Sequence, residues 1–353
     1  MKKKVLFVVL LTGFVFSVSC QKVQDFSYKI ENGGITITKY NGTITDVKIP
    51  EEIEGKPVLA IGYETFNSKK LTSIVIPNTV EYIGGFTFSG NKLTSIIIPN
   101  SVKTIGNGAF HSNELTSIVI PNSIKIIGSN LFSYNQLKNI VISNSVKAIG
   151  EHAFSNNQLT DVVIGNSVET IGNGAFHGNK LTSIVIPNSV RYIDGKAFSD
   201  NKLTVVVIPN SVKTIGEGAF SNNQLTNVVI GNSVKTIEEG AFFANKLKKV
   251  VIGNSVETIG ESAFSSNELT GVIIPNSVKT IGDYAFKNNQ LTSIVIPDSV
   301  ESIEQEAFKN NKLTKVTIPK FTKVEEDAFD ENVEITVSEW KVNKACEIRV
   351  LTS

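Results

Sequence analysis

The chain has 353 residues, 34 of them basic and 33 acidic, so its formal net charge is +1. That balance leaves no overall field to steer it toward nucleic acid or an acidic surface. Two cysteines exclude a disulfide framework, and a hydrophobic content of 41% is enough for a substantial core.

The first twenty residues, "MKKKVLFVVLLTGFVFSVSC", carry Lys2, Lys3 and Lys4, an apolar run from Val5 to Phe16, and small residues. This is the pattern of a secretory signal peptide, residues 1–20. The run falls short of the ~18 apolar residues of a membrane span. Its end, "FSVSC", resembles the lipobox of bacterial lipoproteins at Val18, Ser19 and Cys20, with Ser17 where the usual box has leucine. The resemblance implies lipidation of Cys20 and contact with a membrane only through that anchor. Cys346 is then left without an intramolecular partner.

Residues 21–43 predict an N-terminal β-hairpin cap with its turn at Asn32-Gly33-Gly34. "ITDVKIP", Ile44 to Pro50, is a first strand, followed by an insertion around "EEIEGKPV". From Leu71 to Leu313 a leucine then recurs every 22 residues, and from Phe66 to Phe308 a phenylalanine does the same, with Phe329 one residue early. Repetition at this period predicts a leucine-rich solenoid, residues 44–330, of about thirteen coils. In "LTSIVIP", Leu71, Ile74 and Ile76 point inward and Thr72, Ser73 and Val75 outward. "NTVEYI" adds a short extended run with Val80 and Ile83 inward. "GNGAF", Gly106 to Phe110, predicts a single helical or 3₁₀ turn. The expected fold is β-rich, with parallel strands stacked one per coil at roughly 4.8 Å.

A third ladder consists of Asn91, Asn113, Asn135, Asn157, Asn179, Asn201, Asn223, Asn245, Asn267, Asn289 and Asn311. A turn inside stacked coils strands backbone polar groups, and a side-chain amide can satisfy them coil after coil. These asparagines are therefore expected to be structural. Residues 331–353 lose the repeat. They are expected to form a C-terminal β cap, with Trp340 against the last coil.

The recurring "LTSIxIPxSVxxIGxxAFxxNxL" resembles the BspA-like leucine-rich repeat family over about residues 28–330. It departs from that family in its asparagine, where many relatives have cysteine, and in its period. The resemblance implies a bacterial surface or secreted protein without catalytic activity. It would be an adhesin and virulence factor that binds host extracellular-matrix or cell-surface proteins, or surface proteins of other bacteria. An outer-membrane lipoprotein is expected, with a periplasmic envelope scaffold as the alternative.

No catalytic constellation, metal site or cofactor is expected. His111 and His177 share a register three coils apart, about 14 Å, too far to converge on one ion. The serine of "NSV" suits a turn rather than a nucleophile. The informative feature is the fifth strand position: Val75, Ile97, Val119, Val141, Val163, Val185, Val207, Val229, Val251, Ile273 and Val295. If the leucine and isoleucines face inward, this row faces out as an aliphatic stripe, and a long exposed apolar patch marks a contact surface. Breaks such as Lys138-Asn139, Asp161 and, above all, Lys248 and Lys249 are the candidate specificity positions.

Overall fold

The computed structural model describes residues 23–338. The signal segment, Cys20, Trp340 and Cys346 lie outside the described residues.

The chain opens with an antiparallel hairpin, β1 Phe26–Glu31 and β2 Gly34–Tyr40. Its turn residues Asn32 and Gly33 take φ of 52° and 79°, the left-handed values a two-residue turn requires. After β3, Asp46–Lys48, the insertion folds back on itself as β4, Glu52–Ile53, antiparallel to β5, Lys56–Ile61. β5 pairs parallel with β2, so the hairpin becomes the first rung of the solenoid. Phe26 and fully buried Tyr40 close the core at this end, with Tyr40 5.2 Å from Phe66.

About 14 turns follow at intervals of about 22 residues, with almost no helix. Leucine, both isoleucines, the valine of "SV", the isoleucine of "IG" and the Ala-Phe pair are buried through most of the array, with Ile96 and Val272 partly buried. The phenylalanines stack face to face from Phe66 to Phe329 at centroid distances of 5.2–5.6 Å. This spacing exceeds the ~4.8 Å rung, so the rings are slipped sideways, as their quadrupoles favour.

Of the two extended runs expected in each coil, the second is the more continuously paired. Its longest ladder runs through two-residue strands of the "TI" segment, ten of them from Ile126–Ile127 to Lys323–Val324. The leucine strands pair only in blocks: 46–48 with 73–75, 139–141 with 161–163, 205–208 through 227–230 to 249–251, and 315–318 with 334–337. Segments 95–97, 117–119, 183–185, 271–273 and 293–295 form no ladder.

The residue that ends the strand follows this in most coils, the strand 139–141, which ends in Ser143 and pairs only with the coil after it, being an exception. The five open segments run into Pro99, Pro121, Pro187, Pro275 and Pro297, and proline has no N–H to donate. Strands that extend a block end instead in Gly165, Gly231, Gly253 or Ser338, apart from 73–75 at the insertion. A Cβ on Gly165, Gly231 or Gly253 would lie 2.5, 2.5 or 2.3 Å from a carbonyl oxygen of the preceding coil. Only glycine allows coils to approach that closely.

The expected helical turn at "GNGAF" is replaced. Two left-handed residues recur in every coil of the array, as at Lys196 (φ 54°) and Asp200 (φ 55°). An L-residue in that region breaks a helix, so the amides alternate: Phe198 N–H donates to the Ala219 carbonyl of the next coil at 2.8 Å, while Ser199 N–H donates locally to the Lys196 carbonyl at 3.1 Å. Among the described residues the one helical segment is the 3₁₀ turn Val23–Asp25.

Ala244 sits at such a position, with φ 53°. The left-handed conformation costs an L-residue about 1–2 kcal/mol, and glycine's greater unfolded-state entropy offsets part of the relief. Ala244→Gly should therefore stabilise the protein by about 0.5–1 kcal/mol. Urea unfolding would read this as a higher midpoint at unchanged slope. A loss of stability would show that the turn is not held left-handed.

Candidate binding surface

The asparagine ladder lies inside the solenoid. Each amide links two coils: Asn113 Oδ1 accepts from Leu93 N–H at 3.1 Å, and its Nδ2 donates to the carbonyls of Phe88 (2.9 Å) and Phe110 (3.3 Å). The same set recurs from Asn91 to Asn311. These side chains are 2–8% exposed from Asn91 to Asn289 and half-buried at Asn311, so they present nothing to a partner. The fold places them as rivets rather than contacts.

The fifth strand position lies on the opposite side of each strand from the buried isoleucines and is exposed in all eleven coils. Its exposure follows the ladder. It is 80–84% at Ile97, Val119, Val185, Ile273 and Val295, the five open segments, and 43–66% at Val75, Val141, Val163, Val207, Val229 and Val251, where strands are paired. A paired neighbour shields its rung, and an unpaired one does not. The stripe is thus a series of apolar knuckles separated by flatter paired blocks. Lys248 and Lys249 lie in the longest block. Both are exposed, and Lys248 Nζ is 4.0 Å from the Glu268 carboxylate. That solvated pair is worth little to stability and leaves the lysine available.

Two of the three histidines engage serines without forming a nucleophile. His111 Nδ1 is 2.7 Å from Ser133 Oγ, and His177 Nδ1 is 2.8 Å from Ser199 Oγ. Each serine hydroxyl donates to a backbone carbonyl, of Asn130 or Lys196. The imidazole is therefore the donor, the reverse of what nucleophile activation needs. Burial holds the His111 pKa below its usual value. Among the described residues, no three His, Cys, Asp or Glu side chains converge to hold a metal ion. None of their helices is long and apolar enough to cross a membrane.

A second feature escapes a reading that attends to the strand face. The residue after the valine of "SV" forms a charged, largely exposed row beside the "TI" strands, from Glu81 through Lys125 and Lys213 to Glu301. It is visible in the sequence only when every twenty-second letter is compared.

The profile described as the BspA type leucine rich repeat region, six copies long, matches residues 59–182, 169–292 and 279–344. A leucine-rich repeat protein from Bacteroides ovatus is similar in structure, with 26% identity and a TM-score of 0.56, over 91% of this chain and all of that one. A leucine rich cell surface protein from Faecalibacterium prausnitzii has 25% identity and a TM-score of 0.56, over 91% and 95%. The pneumococcal vaccine antigen PcpA, at 19% identity and a TM-score of 0.54 over 90% and 98%, shares the fold. Among curated proteins none matches this chain.

Proposed function

The chain belongs to the BspA-type leucine-rich repeat family, and from that premise we propose that it is an exported, adhesin-like surface protein that binds protein ligands through its leucine-strand face. Leucine-rich repeat families of this kind are typically non-enzymatic protein-interaction modules. The observation that carries the proposal is the row of eleven exposed aliphatic side chains, which no described part of the chain covers. Their burial would supply roughly 25 cal/mol per Å² of apolar area removed from water, and the open-segment knuckles have the most area to give. The partner class proposed is a host extracellular-matrix or cell-surface protein, or a surface protein of another bacterium. Export through residues 1–20 and lipid anchoring at Cys20 belong to the same proposal.

The test is saturable binding of the purified chain to extracellular-matrix proteins and host cells. Val119→Ser with Val185→Ser should weaken binding about tenfold or more, and Lys248→Ala with Lys249→Ala should change which ligand is preferred. Absence of saturable binding to any of these, with capture of a periplasmic partner instead, would favour the envelope-scaffold alternative. Cys20→Ala should release the protein from membranes.

A further inference from the structure

The charged row beside the "TI" strands has two halves with different logic. Its members in chain order are Glu81, Lys103, Lys125, Lys147, Glu169, Arg191, Lys213, Lys235, Glu257, Lys279 and Glu301. Toward the C-terminal end the signs alternate, and neighbours pair: Lys235 with Glu257, and Lys279 with Glu301 at 3.9 Å. Toward the N-terminal end they do not alternate. Two cationic triplets stand there, Lys103-Lys125-Lys147 and Arg191-Lys213-Lys235, separated by Glu169.

Lys125 and Lys147 of the first triplet and all three cations of the second are stacked in register, while the ladder is broken between Lys103 and Lys125. Lys147 N–H donates to the Lys125 carbonyl at 2.8 Å, Lys213 N–H to that of Arg191 at 2.9 Å, and Lys235 N–H to that of Lys213 at 3.1 Å. Like charges facing each other across adjacent strands are destabilising. The alternating half shows that the same fold accommodates the compensated pattern. At the ends of the triplets, Lys103 reaches Glu81 at 2.7 Å and Lys147 reaches Glu169 at 3.5 Å. Among the described residues, the middle residues Lys125 and Lys213, and Arg191, have no carboxylate partner within ion-pair distance. Nothing in the folding of the chain calls for these repulsions.

The surroundings favour an anionic occupant. The asparagine that precedes each "SV", at Asn100, Asn122, Asn144, Asn188 and Asn210, is exposed and uncharged. The next residue along each "TI" strand is hydroxyl-bearing at Thr104 and Thr214, and at Tyr192 it is an exposed aromatic beside Arg191. A net charge of +1 hides this bias: Glu151, Asp194 and Glu217 stand at turns of the triplet coils, but more of the acids gather toward the C-terminal end. Glu238, Glu239, Glu261, Asp283, Glu304, Glu326 and Asp327 sit at turns in the C-terminal coils.

We propose that the two cationic triplets form a binding track for a linear anionic polysaccharide. The cations stand in single file along the stacking axis, and the middles of the triplets are four coils, about 19 Å, apart. An extended chain can lie along such a line and meet both triplets. A lipid surface would call for cations spread over a plane, and a duplex for cations that follow two winding strands. Hydroxyls and Tyr192 beside the cations suit sugar hydroxyls and a sugar face. This track lies on a different sheet from the leucine-strand face, and neither proposal depends on the other.

The experiment uses the whole chain with heparin as probe, titrated across salt concentrations. Lys125→Glu with Lys213→Glu converts both triplets to the alternating pattern. Heparin affinity should fall at least tenfold, and the dependence of log K on log salt should flatten by about two units. Stability should be unchanged or raised, as the alternating half predicts. Lys125→Gln with Lys213→Gln should shift affinity in the same direction by less. Lys248→Ala with Lys249→Ala should leave heparin binding intact, which separates this track from the strand face. Heparin binding within twofold of wild type in the doubly reversed variant would overturn the proposal. So would tighter binding to duplex DNA or phosphatidylserine vesicles than to heparin at the same ionic strength.

Discussion

Asn201→Ala is expected to destabilise the protein by about 3–5 kcal/mol, far more than the loss of one side chain's contacts. The asparagine is 7% exposed. Its Oδ1 accepts from Leu181 N–H at 3.0 Å, and its Nδ2 donates to the carbonyls of Phe176 (2.9 Å), Phe198 (3.2 Å) and Ser199 (3.1 Å). Alanine leaves a buried donor and several acceptors without partners, and each such group costs about 1–3 kcal/mol. Asn201→Asp separates the two roles. It keeps the acceptor for Leu181 but turns a carboxylate toward carbonyl oxygens, so it should be at least as damaging as alanine. Asn311→Ala, half-buried at the end of the ladder, should cost less. Urea unfolding reads all three. A loss below about 1 kcal/mol for Asn201→Ala would mean that water replaces the amide.

Phe198→Ala should cost about 3–5 kcal/mol as a large-to-small core change, and should also change how the protein unfolds. Phe198 is fully buried between Phe176 at 5.4 Å and Phe220 at 5.3 Å. In a solenoid each coil touches only its neighbours, so stability is close to a sum of coil and interface contributions. A cavity in a middle coil weakens two interfaces at once. The expected result is a transition that splits in two, the coils on either side unfolding at different urea concentrations. Phe198→Leu, which keeps most of the volume, should restore a single transition. A single transition in the alanine variant with a small loss of stability would show that the neighbouring rings close the gap.

Much of this protein is legible in its sequence because a repeat states the same packing problem again and again. The leucine, isoleucine and phenylalanine rows are buried because each coil must cover its neighbour's apolar side, and one period suffices to see it. The outward row from Val75 to Val295 follows from strand alternation once those rows are turned inward.

Other features depend on how close one coil comes to the next. The period says nothing of which leucine strands pair. That follows whether Pro187 or Gly231 ends the strand, since a Cβ on Gly231 would lie 2.5 Å from the Pro209 carbonyl oxygen. The turn at "GNGAF" reads as a helix start locally, yet left-handed residues such as Lys196 and Asp200 send every second amide to the adjacent coil.

The sequence by itself determined the solenoid, its coil length, its buried rows and the outward aliphatic row, because these follow from residue type at a fixed period. The tertiary structure alone decided the ladder in which strands pair, the exposure of each knuckle, and the stacking of Lys125 on Lys147 and Arg191 on Lys213. The physical reason is distance. Residues 22 apart become neighbours at a few ångströms only when coils stack, and hydrogen bonds, steric clash and like-charge repulsion all act at that range.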